Sequence, residues 1–71
     1  MSAKFRSEAI ERVYKLAIAQ GWRVEDRRRH VALWPLDGSS PVMLSKTAYD
    51  GPANRRIEAI ARRKGLRIPP K

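Results

Sequence analysis

The 71-residue chain has no cysteine, so no disulfide can brace it and no thiolate can ligate a metal. A single histidine, His30, excludes the usual multi-histidine metal sites, and neither a metal nor a cofactor is expected. Long apolar runs are missing too, since none approaches the ~20 residues that span a bilayer. The opening Met1-Ser2-Ala3-Lys4-Phe5-Arg6 lacks the apolar segment of a secretion signal. A cytoplasmic protein without membrane association is the expectation.

Acidic side chains are also scarce. Seven Asp and Glu stand against sixteen Lys and Arg, a formal net charge of +9. On so small a domain this excess costs self-repulsion and points to a polyanionic partner. Nucleic acid comes first, an acidic protein second and an anionic membrane surface third. Arginine outnumbers lysine eleven to five, which suits bidentate phosphate contacts, although GC-rich codon usage gives the same bias. One small domain over 1–71 is expected, with 1–6 and 68–71 loose. Its core must come from roughly two helices on a small sheet, or stability must come from association.

What is present is organised around Arg27-Arg28-Arg29-His30-Val31-Ala32-Leu33-Trp34-Pro35-Leu36. Three adjacent guanidiniums make a field that attracts phosphate. The following strand would hold the imidazole at a fixed height beside them. The plainer reading is solvated loop charge and a structural histidine.

Ser7 to Gln20 reads as a helix, with Ser7 as N-cap and Ile10, Val13, Leu16 and Ala17 at helical spacing. Glu8 and Glu11 each have a base four residues on, Arg12 and Lys15. Gly21 is the left-handed stop. Trp22-Arg23-Val24-Glu25 alternates as a first strand, with Trp22 as a core anchor. In the second strand, His30 to Leu36, Val31 and Leu33 are assigned to the helix-covered face and His30, Ala32 and Trp34 to the opposite one. Leu36 to Pro41 is a turn centred on Asp37-Gly38, and Pro41 to Ser45 returns as a third strand with Val42 and Leu44 inward. Asp50-Gly51-Pro52 starts a second helix that runs to about Lys64. Its buried stripe is Ala53, Ile57, Ile60 and Ala61, with Gly65 and Leu66 as the stop. Arg67 to Lys71 reads as a loose basic tail.

The order α-β-β-β-α is that of the double-stranded-RNA-binding fold, an α+β arrangement with both helices on one face of a three-stranded antiparallel sheet. More specifically, the chain resembles the HicA-type toxins, mRNA interferases of this fold. The residues that carry the resemblance are Gly21-Trp22, His30 opening the second strand, Pro35-Leu36-Asp37-Gly38 and Ala61-Arg62-Arg63-Lys64-Gly65-Leu66. The resemblance covers residues 7 to 67. It implies a metal-independent endoribonuclease with His30 as the single catalytic residue, and a cognate acidic antitoxin as protein partner. Arg28-Arg29 stand where the family commonly has Gly-Ser, and Ser45-Lys46-Thr47 where it often has proline and histidine.

RNA, more than DNA, is therefore the expected ligand. Its own 2′-hydroxyl is the nucleophile, so cleavage needs mainly a base and charge stabilisation. Arg27, Arg28, Arg29, Lys46, Arg55, Arg56, Arg62 and Arg63 are the expected phosphate contacts. Glu58 is expected to shield Arg62 at the i,i+4 spacing. The alternatives are a non-catalytic nucleic-acid-binding module and an interaction protein whose basic face meets an acidic partner. Trp34 and Met43 on an uncovered sheet face would favour a homodimer.

Overall fold

The computed structural model describes residues 4–48 and 51–69, with the side chains of residues 52–54 left aside. Helix α1 (Glu8–Ala19) is followed by strands β1 (Arg23–Asp26), β2 (His30–Trp34) and β3 (Val42–Ser45), and by helix α2 (Pro52–Arg63). The strands form one antiparallel sheet in the order β1-β2-β3.

Local chemistry sets the helix ends. Ser7, fully buried, accepts the Ile10 amide on its Oγ at 3.2 Å, satisfying one of the orphan donors of the first turn. The two helices stop in the same way. At α1, Gly21 takes φ +86°, its N–H donates to the Ile18 carbonyl, and the Trp22 N–H donates to that of Ala17. At α2, Gly65 takes φ +100°, with Gly65 donating to Arg62 and Leu66 to Ala61. Each is a left-handed glycine stop closed by an apolar contact, and Ala17, Trp22, Ala61 and Leu66 are all buried. Gly51 caps the start of α2 without a side-chain bond; Asp50, the other expected cap, lies outside the described residues.

Sheet register sorts the side chains. Val24, Leu33 and Val42 are cross-strand neighbours, as are Asp26, Val31 and Leu44. Val31, Leu33, Val42 and Leu44 are buried in one core with Ile10, Val13, Tyr14 and Ala17 of α1, Ala61 of α2, and Trp22 and Leu66. Both helices therefore cover the same face, as expected. Each large aliphatic side chain so buried contributes about 1.5–3 kcal/mol. The other face carries three rows: Arg23–Trp34, then Glu25–Ala32–Met43, then His30–Ser45.

Three expectations need correction. Ile60 is 42% exposed, because it lies about 100° round the helix from buried Ala61, off the stripe that Ile57 and Ala61 form. The β2–β3 turn is not centred on Asp37-Gly38. Gly38 donates to the Pro35 carbonyl and takes φ +80°, so Leu36-Asp37 occupy the centre. The described flanking residues 4–6 and 64–69 make defined contacts. Phe5 packs on Tyr14 with ring centroids 5.1 Å apart, and the Arg6 N–H donates to the Lys46 carbonyl. Ile68 packs against the core, and Arg12, rather than pairing with Glu8, donates to the Pro69 carbonyl. Only the Glu11–Lys15 pair of α1 forms as expected, at 3.3 Å.

Candidate nucleic-acid interface

The β1–β2 connection is a tight turn with Arg28 and Arg29 at its tip. The Arg27 N–H donates to the His30 carbonyl at 2.8 Å, and the Lys46 N–H donates to the Arg29 carbonyl at 3.0 Å. No described non-glycine residue has positive φ, so the tip needs no glycine where the HicA-type toxins commonly have Gly-Ser. Arg28, Arg29 and His30 are exposed. His30 opens β2 directly opposite Ser45 on the uncovered face, and its imidazole makes no hydrogen bond among the described residues.

The cations of this region divide by partner. Arg27 donates from Nε to Glu25 Oε1 at 2.6 Å. Lys46 pairs with Asp26 and also donates to the Arg27 carbonyl at 2.7 Å, with its side chain 21% exposed. Lys46, expected as a phosphate contact, has its ammonium engaged in holding the turn. Arg28 and Arg29 make no ion pair or hydrogen bond through their side chains among the described residues.

Helix α2 carries the second group. Arg55, Arg56, Arg62 and Arg63 are all exposed, and none is ion-paired among the described residues. Glu58 does not pair with Arg62, so the expected shielding is absent from this conformation. Lys64 follows the helix and donates to Ser40 Oγ at 3.0 Å, which fixes the end of α2 beside the β2–β3 loop. The helix runs back from there over about 18 Å. Arg55 and Arg56 lie in the half of α2 away from that contact, and Arg62 and Arg63 in its last turn beside it.

Two features escaped the sequence reading. The Arg23 guanidinium lies 5.0 Å from the Trp34 ring centroid, so Trp34 is half-covered rather than open. Met43 does remain 42% exposed, and Ala32 between them is fully buried. The alternation that puts Arg23 and Glu25 on one side of β1 was the available signal. Asp26 is the other feature; nothing local in the sequence ties it to a lysine twenty residues away.

A shallow depression lined by Glu8, Glu11, Arg12, Lys15, Leu16 and Ala19 runs along α1, in the layer that covers the other sheet face from His30. Among the described residues no group of three or more His, Cys, Asp or Glu can hold a metal ion, and no helix is long and apolar enough to cross a membrane. No family model, curated protein or solved structure matches the chain.

Proposed function

We propose that the chain binds RNA through its phosphodiester backbone, as a HicA-like protein, with Arg28 and Arg29 as primary contacts and Arg55 and Arg56 beside them. The observation that carries this reading is the segregation of charge. Glu11, Glu25 and Asp26 are engaged by Lys15, Arg27 and Lys46, while Arg28, Arg29, Arg55, Arg56, Arg62 and Arg63, all exposed, have no carboxylate partner among the described residues. Unneutralised guanidiniums of this kind release counterions on binding a polyanion. Arg62 and Arg63 extend the basic surface along α2.

His30 stands next to the primary contacts, exposed, and within reach of a backbone held there. In an mRNA interferase it would take the proton of the 2′-hydroxyl while Arg28 and Arg29 stabilise the pentavalent phosphate. Purified protein and His30→Ala are compared on single-stranded RNA: His30-dependent cleavage supports the enzyme, and equal contaminant-level cleavage removes it. Growth arrest on expression of the wild type but not of His30→Ala would place it among the toxins.

A second reading, RNA binding without cleavage, is favoured by one specific observation. On the uncovered face Glu25 is committed to Arg27, and no second imidazole exists to protonate the leaving oxygen. An acidic protein covering the same arginines would compete with RNA, and RNA would displace it as salt falls. Self-association through Met43 and Trp34 would show as a dimer mass in light scattering.

A further inference from the structure

The Lys46–Asp26 pair stands out because it spends one of the few acids beside a surface otherwise built to attract phosphate. Its position explains this. Asp26 ends β1 on the helix side of the sheet, and Lys46 follows β3 on that same side. The Lys46 ammonium reaches Asp26 and the Arg27 carbonyl, while the Lys46 N–H holds the Arg29 carbonyl. One residue thus grips the backbone on both sides of the arginine tip. The Lys46 carbonyl in turn accepts the Arg6 N–H at 3.2 Å, which ties this anchor to the segment leading into α1.

The tip would not stay closed unaided. Three successive guanidiniums repel one another, and the tip contains neither glycine nor an Asn or Asp to favour the turn. Without the Asp26 carboxylate, the Lys46 ammonium joins Arg28 and Arg29 as a third unbalanced charge in the cluster. In Asp26→Asn the ion pair would give way to a weaker bond from the ammonium to an uncharged amide oxygen, and the grip on the Arg27 carbonyl would loosen.

We infer that Asp26 and Lys46 are positioning residues for the arginine turn, so that an acidic side chain is required for full affinity toward a phosphodiester backbone. The inference deepens the RNA-binding reading and rests on it. Bulk electrostatics predicts the reverse, because Asp26→Asn raises the net charge from +9 to +10 and should tighten binding to any polyanion. Preorganisation predicts weakening, because each encounter must then order the tip again.

The test uses the full chain and a fluorescent single-stranded RNA oligonucleotide. Asp26→Asn is compared with wild type, with Arg28→Ala, and with the charge-matched control Glu8→Gln, whose acid makes no ion pair among the described residues. Asp26→Asn is expected to bind about two- to five-fold more weakly, as suits the loss of one partly exposed pair, while Glu8→Gln binds at least as well as wild type. Circular dichroism at the assay temperature confirms that each variant is folded. Equal or tighter binding by Asp26→Asn, with Arg28→Ala weakened, overturns the positioning role and leaves the RNA-binding reading intact. If wild type binds no RNA, that reading fails. The positioning role is then judged by exchange of the Arg27 and Lys46 amides, which are bonded across the turn to the His30 and Arg29 carbonyls: faster exchange in Asp26→Asn supports it, and unchanged protection overturns it.

Discussion

Gln20 and Arg67 exchange two hydrogen bonds across 47 residues: the Arg67 N–H donates to Gln20 Oε1 at 2.9 Å, and Gln20 Nε2 donates to the Arg67 carbonyl at 2.7 Å. The side-chain amide at the C-cap of α1 thereby satisfies both backbone groups of a residue beyond α2, as a neighbouring strand would. Leu66 is buried just before it and Ile68 packs on the core just after.

Replacing Gln20 should loosen that segment. Gln20→Ala is expected to cost about 1 kcal/mol, from two solvent-accessible hydrogen bonds. Gln20→Glu keeps the acceptor for the Arg67 N–H and loses the donor, so it should fall between. Urea unfolding monitored by tryptophan fluorescence gives the order. Equal stability of all three proteins would mean that Leu66 and Ile68 alone hold the segment.

Core truncation at the sheet centre should be far more severe. Leu33 is fully buried between Val24 and Val42, and Leu33→Ala is expected to cost about 2–5 kcal/mol. A domain of this size holds only roughly 5 kcal/mol in all, so the variant should be largely unfolded at 37 °C. Met43→Ala, on the uncovered face, should cost less than half as much. Thermal melts followed by circular dichroism separate the two.

Asp37 gives the hairpin a pH dependence. The Ser39 hydroxyl and the Ser39 N–H, the latter donating to Oδ1 at 2.9 Å, hold its carboxyl below the usual value of 3.8; the Lys64 ammonium adds to this. The N–H bond is the better formed, since the hydroxyl is buried without a partner of good geometry. A carboxyl whose folded-state pKa is depressed contributes stability above its unfolded pKa and loses it as pH falls through the folded one. The contribution is thus complete at neutral pH and disappears in acid below 3.8. An NMR titration should place the Asp37 midpoint below that value, and Lys64→Met should move it upward by a small amount.

The arginines should separate by partner. Arg28→Ala and Arg29→Ala should each lower the slope of log affinity against log salt by roughly 0.7 on single-stranded RNA. Arg27→Ala should change it less, because Glu25 already neutralises Arg27. Arg55→Ala and Arg56→Ala should weaken binding more than Arg62→Ala. The reason is position along α2, since no Glu58 pair shields Arg62 among the described residues. Unchanged slopes for Arg55→Ala and Arg56→Ala would confine the interface to the turn.

Sequence by itself determined the order of the elements, their caps and the inward face of the sheet. Those features are written in short periods: the spacing of Ile10, Val13 and Ala17, the alternation of Val31, Leu33, Val42 and Leu44, and glycines at 21 and 65 that alone take positive φ cheaply. It also determined the excess of positive charge. Only the tertiary structure decided which of those charges are spoken for. Lys46 meets Asp26 across 20 residues and Arg12 meets Pro69 across 57, while Glu58 and Arg62, at ideal helical spacing, stay apart. The physical reason is range. Periodicity and capping act within one element, whereas an exposed ion pair is worth little in itself and forms where packing of distant segments happens to bring its members together. The same rule displaced Ile60 from the core: the helix was legible, but its rotation was fixed by the burial of Ala61 and the packing of Ile57 against the core.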